Sequence, residues 1–506
     1  MKSLGADNAV EQSSMAVIDR YRQAKSRRQP WETLWQDCYD FALPQRSQVA
    51  GEYMQGQSRN TDVYDGTALD AADQLAASLL GNLTPPWTQW FGLKPGPNLS
   101  DKDAQALAPV LEKSARTVQA HLDRSNFSVE LHQCFLDLVV GGTASLFIEE
   151  GMVGDFSAFR FTAAPLFSVA MEEGESGILD GTFRELSITL NQIQARYPFA
   201  DIPASIEKAG VKDPQLRFTI LESILPEEDS GGYQYIAFFI EEDAKDAELL
   251  RLRLQDPPVI NFRWQKSPGE IYGRSPVMKA LPDIKTANKV VELILKNASI
   301  AVSGIWQADD DGVLNPSNIQ LKPGSIIPKA VGSKGLSPLE MPGRFDISQL
   351  VLDDLRTRIR HALLVDKLAP VSSPRMTATE VLERSAEMAL LLGATYGRLQ
   401  SELLTPLIQR CYAILRRRGE VPDLLIDGRS VSIDYRSPLA LAQSQQGVQN
   451  TLSWLNSVMA MGGNAQQSID FEAAARYLGT ALGVPSDLIK PTELLQTNLT
   501  TTTDQN

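Results

Sequence analysis

Thr61 to Leu93, TDVYDGTALDAADQLAASLLGNLTPPWTQWFGL, constrains the fold more than any other stretch, because it joins a small-residue helix to a rigid aromatic stop. Ala68, Leu69, Ala72, Leu75, Ala76, Leu79, Leu80 and Leu83 recur at helical spacing. Asp65 or Thr67 is placed to cap the helix start, and Gly81 with Pro85-Pro86 to end it. Trp87, Trp90 and Phe91 follow directly on the prolines, so the chain carries a preformed apolar anchor that packs one element or subunit onto another. Nothing in the stretch suggests chemistry.

The rest of the chain is built to fold. Its 506 residues are 43% hydrophobic and 22% charged, which predicts several structural regions rather than disorder. A formal charge of −14 argues against a protein that grips nucleic acid by neutralising phosphates. Cys38, Cys134 and Cys411 are too scattered for a disulfide framework or a zinc site, and fit a reducing compartment. The N-terminus lacks an apolar signal core, and no 18-residue apolar run exists; the longest candidate, Leu138 to Ile148, contains Gly141-Gly142. These features predict a protein made in a cytoplasm and not inserted in a membrane.

Along the chain, residues 15–43 read as one or two helices broken at Pro30, with Trp31, Trp35, Tyr39 and Phe41 clustered behind the break. The basic run Arg20, Arg22, Lys25, Arg27, Arg28 reads as a solvated helix face. From Phe147 to about Ile260 the pattern turns to strands, at Phe183–Leu190, Leu216–Ser223 and Tyr235–Ile240. Val277, Leu281, Ile284, Ala287, Val291, Ile294 and Ala298 then mark a long amphipathic helix. A turn-rich insertion fills 301–344, and a second helix returns over about 346–366. Pro370 and Pro374 stiffen the loop that follows. Thr377-x-x-Glu380 caps a very long helical pattern through Leu415, with Gly393 and Pro406 as kink points. The last 70 residues read as helical and Ala/Gln-rich, ending in a disordered polar tail.

No chemical motif appears. Gly332-Ser-Lys-Gly335 lacks the spacing of a phosphate-cradling loop, and His121, His132 and His361 have no ligand spacing. Asp309-Asp310-Asp311-Gly312 lacks the alternation of a calcium loop and reads as an exposed hairpin tip. No catalytic residue, metal or cofactor is expected.

Five separate motifs nevertheless occur in a telling order: Tyr21-Arg-Gln-Ala with Arg28-x-Pro-Trp-Glu32; Asp65 to Phe91; Gly269-Glu-Ile-Tyr-Gly-Arg-Ser-Pro276 with Ala280-Leu-Pro-Asp-Ile-Lys285; Arg375-Met-Thr-Ala-Thr-Glu380; and Tyr435-Arg-Ser-Pro-Leu-Ala440. In this order the chain resembles the head-to-tail connector, or portal, proteins of short-tailed, T7-like bacteriophages. The resemblance implies a mainly helical α+β portal fold, assembled as a ring of about twelve subunits at one capsid vertex. It implies a wing over 1–270, a first stem helix over 271–300, a clip over 301–344 and a second stem helix over 345–366. A tunnel loop over 367–376, a long kinked helix returning to the wing over 377–435, and a crown with its tail over 436–506 complete it.

The implied partners are other copies of the chain, major capsid protein, scaffold, the terminase large subunit, a tail adaptor or tail tube protein, and double-stranded DNA passing through the channel. The implied place is the head–tail junction of the virion, after assembly in the host cytoplasm. Lys367, Ser372, Ser373 and Arg375 are then tunnel-loop candidates, with Arg375 and Lys367 able to form a cationic ring. Asp309, Asp310, Asp311, Lys322, Lys329 and Lys334 are clip docking candidates, and Trp87, Trp90 and Phe91 brace the wing. A ring of such acidic subunits gives a strongly negative channel or exterior, and a negative lumen keeps DNA from sticking as it slides. The rival readings are a metal-dependent nuclease and a monomeric scaffold, which native size separates from a ring.

Overall fold

The structure, a computed structural model, describes residues 4–46, 62–152, 154–227, 232–240, 247–303, 306–307, 337–338, 345–365, 392–461 and 469–481. It is a mixed helix-and-sheet protein in which helix predominates. The chain opens with α1 (Leu4–Ala42), α2 (Thr67–Leu83), β1 (Phe91–Pro95), α3 (Asp101–Arg124) and α4 (Phe127–Gly141). Then come β2 (Thr143–Glu150), β3 (Phe159–Ala164), β4 (Val169–Glu172), β5 (Gly181–Thr189), α5 (Leu190–Arg196) and α6 (Ala204–Lys212). β6 (Arg217–Pro226), β7 (Tyr233–Phe239), β8 (Glu248–Leu254) and β9 (Val259–Arg263) finish the sheet-bearing part. Strands β5, β6 and β7 are those that alternation predicts.

Two antiparallel sheets result, one in the order β3-β2-β9 and one in the order β4-β5-β6-β7-β8. The five-stranded sheet is covered on both faces, because its strands alternate apolar side chains to each side. Phe183, Leu221, Ile236 and Phe238 pack on Val17, Ile18, Tyr21 and Ala24 of α1. Phe218, Ile220, Ala237, Phe239 and Leu249 pack on Leu190, Ile193 and Ile206 of α5 and α6. The main core joins α1 to α4, β1 to β3 and β9 with the later helices.

Those later elements are α7 (Pro276–Ser303), the two-residue strands β10 (Trp306–Gln307) and β11 (Ser337–Pro338), and α8 (Phe345–Ala362). A helix resumes over 392–399, widens into a π turn at Gln400–Leu404 and continues as α9 (Thr405–Arg417). β12 (Val431–Tyr435), α10 (Pro438–Met461) and α11 (Phe471–Ala481) end the described chain. Among the described residues no helix is long and apolar enough to cross a membrane. Helices α7 and α8 match the two periodic helices of the sequence and pack against each other.

Three expectations are corrected. Pro30 lies inside α1 and does not break it. The carbonyl it leaves without a donor belongs to Ser26 on the same exposed face, open to solvent, while buried Tyr21, Ala24, Trp35 and Tyr39 hold both halves to the body. Nor is the basic run simply solvated. Arg20 pairs with Glu172 at 2.6 Å, Lys25 with Glu185 at 2.7 Å, and buried Arg28 reaches Glu32 and the Val169 carbonyl. Finally, the aromatic anchor divides: Trp90 and Phe91 are fully buried, whereas Trp87 is 74% exposed. Trp90→Ala is expected to cost about 3–5 kcal/mol and Trp87→Ala less than about 0.5 kcal/mol, read by urea unfolding of the full chain.

Candidate functional site: the root of the α7–α8 hairpin

Helices α7 and α8 leave the body as an antiparallel pair, and strands β10 and β11 pair at its far end, Trp306 opposite Pro338 and Gln307 opposite Ser337. Everything the molecule does through this hairpin must pass through its root. The motif Gly269 to Pro276 builds that root. Ser275 caps α7, its hydroxyl accepting from the Met278 amide and donating to the Val140 carbonyl of α4. Gly273 lies against Gly142, which closes α4 at φ +77°, and a Cβ on either glycine would stand 2.2 Å from the other's carbonyl oxygen. Only two glycines permit this contact, which presses the start of α7 onto the junction of α4 and β2.

Tyr272 fills the space beside it. Its ring meets Trp35 edge-on at 5.0 Å, its hydroxyl accepts from the Met171 amide, and burial pushes the phenol up to about 12. Arg274 lies over the Trp31 ring and bonds Glu270. Thus the Pro-Trp-Glu motif of α1 and the Gly-Arg-Ser-Pro motif before α7 are two sides of one joint.

The Asp65 end of the opening stretch clamps both helices. The Asn288 side chain of α7 accepts from the amides of Tyr64 and Asp65 and donates to the Asp62 carbonyl. Asp65 accepts from the Thr67 amide at 2.9 Å, which starts α2, and from Arg356 of α8 at 2.9 Å. Lys285 reaches Asp37 of α1 at 2.7 Å. Burial raises the Asp65 carboxyl, but the hydrogen bonds from Thr67 and Arg356 outweigh it and hold the group below the ordinary aspartate value. The stability contributed by a depressed folded value is full above the unfolded value of 3.8 and is lost as pH falls below it through the folded value. Asp65→Asn is therefore expected to cost about 1–3 kcal/mol at neutral pH, with the difference from the parent chain shrinking toward pH 3. A difference independent of pH would remove the ion pair from the account.

A second tie joins the late helix to the sheet. Arg263, at the end of β9, has a fully buried side chain that bonds both carboxylate oxygens of Glu402 and the carbonyls of Ile271 and Gly177. Glu402 sits in the π turn just before Pro406, and it also accepts from the Arg263 amide and from Arg398. The turn widens there because Pro406 has no amide proton, and the Thr405 amide bonds Gln400 instead.

The third tie is the pairing of β1 with β12, which lays Phe91 opposite Tyr435. The Arg436 amide donates to the Trp90 carbonyl at 2.7 Å, and its guanidinium covers Gly92, where a Cβ would stand 2.6 Å from it. Tyr435 and Thr405 hydroxyls meet at 2.7 Å. Four of the five sequence motifs are therefore joints of one framework.

Sequence reasoning did not single out Asn288, Arg356, Arg263 or Glu402. No local pattern marks them, since each finds its partner far along the chain. Lys367, Ser372, Ser373 and Arg375, and Asp309, Asp310, Asp311, Lys322, Lys329 and Lys334, lie outside the described residues, as does the Thr377–Glu380 box. Among the described residues no group of histidine, cysteine and carboxylate side chains is arranged to hold a metal ion.

Comparison with known proteins agrees with a mechanical reading. The family model of the bacteriophage head to tail connecting protein matches residues 14–489. The chain is 25% identical to the probable portal protein of Bordetella phage BPP-1, across 94% of this chain and 88% of that protein. It is 24% identical to the portal protein of Salmonella phage epsilon15 across 96% and 90%, and 23% identical to that of Escherichia phage T7 across 80% and 75%. Portal proteins are structural rather than enzymatic. With the match running over nearly the whole framework of joints, this chain belongs to the family of bacteriophage head to tail connecting proteins.

Proposed function

We propose that this connector works as a ring of about twelve subunits at one capsid vertex, through which terminase drives DNA inward and through which DNA later leaves into the tail. In this reading the sheet-bearing part and α1 to α4 are the wing, and α7 and α8 are the stem. The insertion closed by β10 and β11 is the clip, the segment between α8 and the π turn carries the tunnel loop, and α10 and α11 form the crown. The observation that carries it is the α7–α8 hairpin, fixed at its root by Gly142–Gly273, Asn288 and Asp65–Arg356 and ending in the neck of an insertion. A hairpin held so firmly at one end transmits force and position between what docks on its tip and what surrounds its root.

The clip, with Asp309 to Asp311 and Lys322, Lys329 and Lys334, docks terminase and then the tail adaptor, while the wing meets capsid protein and scaffold. Arg375 and Lys367 touch passing phosphates from the tunnel loop, with Ser372 and Ser373 beside them. The charge of −14 per subunit keeps the rest of the channel from holding DNA. Capsids assembled with the chain are expected to fill with DNA and those without it to stay empty. Arg375→Ala capsids should assemble but fill or retain less DNA. Equal filling with and without the chain would refute the function, and equal filling by Arg375→Ala would remove only that residue's role.

A further inference from the structure

The second half of helix α10 is apolar and unpacked. From Pro438 to Met461 the sequence carries no charged residue, and from Asn450 to Met461 no residue is buried. Helices α2 and α11 pack on α10, with the Tyr477 hydroxyl so near Gly447 that a Cβ there would stand 2.9 Å from it. The least exposed seam of the helix runs through Val448, Thr451, Leu455 and Val458, at the three-and-four spacing of one face. At about 100° per residue, Leu452 and Met459 stand on one flank of that seam and Trp454 and Met461 on the other. These four residues are between 42% and 73% exposed, while Asn450, Ser453, Asn456 and Ser457 hold the back of the helix.

Single apolar residues on a surface are ordinary, but two pairs, each repeated after a heptad on a helix without charge, make a packing surface. The absence of charge and the number of flanks select the occupant. A partner chosen by charge finds nothing to recognise here, and a copy of this −14 chain meets no like charge on this helix. One added helix or strand covers one flank only. In a closed ring every copy has a neighbour on each side, and a head-to-tail contact lays one flank of each copy against the opposite flank of the next. Two unlike flanks, one with the large Trp454 ring and one with the smaller Leu452, are then both covered by a single repeated contact.

We propose that α10 joins neighbouring copies of this chain: Leu452 and Met459 of one copy pack on Trp454 and Met461 of the next, and the repeated contact forms an apolar belt. This rests on the ring proposed above. The test is disulfide cross-linking of the full-length protein carrying Met459→Cys and Met461→Cys together. The two positions face opposite flanks of one helix, so they cannot join within a chain, and the native Cys38, Cys134 and Cys411 are buried. Oxidation with copper phenanthroline is expected to give a ladder of covalent multiples on non-reducing denaturing gels, and each single substitution only monomer. Adding Trp454→Asp should lower the cross-linked yield about tenfold or more; all three residues are exposed, so the variants keep their fold, as circular dichroism would verify. Monomer alone from the doubly substituted chain, dimers from either single substitution, or an unchanged yield with Trp454→Asp overturns the proposal. So do cross-links that form only after residues 482–506 are removed, because the chain's own end then covers the flanks. Rings seen by electron microscopy without a ladder overturn this contact and leave the ring standing, whereas the absence of both overturns the two together.

Discussion

Arg263→Met is expected to lower the stability of the subunit by about 3–5 kcal/mol, the range for breaking a buried ion pair by removing one partner. The loss comes less from the missing attraction than from what is left behind. Glu402 is only 10% exposed, and without Arg263 it keeps Arg398 as its cation while remaining largely shielded from solvent in the π turn. The carbonyls of Ile271 and Gly177 lose their donor at the same time. Changing both partners, Arg263→Met with Glu402→Leu, should recover much of the loss, since an apolar pair leaves no buried charge unpaired. Urea unfolding of the single and double variants measures this. A single variant within about 1 kcal/mol of the parent would show that the late helix does not depend on this tie.

The second large effect concerns the insertion. Cutting residues 308–336 and joining Gln307 to Ser337 by a short glycine-containing turn keeps the β10–β11 neck and every contact at the hairpin root. Two-residue hairpin connections favour such turns, so the shortened chain is expected to fold and assemble. On the reading of this insertion as the clip, binding to terminase and to the tail adaptor falls to background, and DNA packaging with it. Retained docking of both partners in pull-down with the shortened chain would move the docking surface elsewhere.

Much of this fold is legible in the sequence, for a physical reason. Helices α7 and α8 each carry an apolar stripe at helical spacing, and strands β5, β6 and β7, buried on both faces of their sheet, carry β-rich apolar runs between turn residues, so local pattern locates them. Pro30 misled because a proline disfavours but does not forbid a helix interior: here it and Ser26 lie on the exposed face, and buried residues on both sides of it hold α1 to the body. The strands β1 and β12 carry no such local mark: Lys94 and Asp434 are neighbours 340 positions apart, and five residues with mixed burial do not announce a strand. The candidate site divides in the same way. The motifs at its root stand out by composition, yet their purpose is fixed by partners such as Arg263 and Glu402, 139 positions apart, which no spacing rule connects. Trp87 shows the limit on the aromatic anchor, since a residue in the same run as Trp90 turns outward.

The central claim is that copies of this chain close around a channel, and electron microscopy of the purified full-length protein tests it most directly. Class averages showing a closed ring of about twelve subunits with a central hole, its narrow end formed by the α7–α8 hairpins, are the predicted result. A population of monomers with no ring at any protein concentration would contradict it.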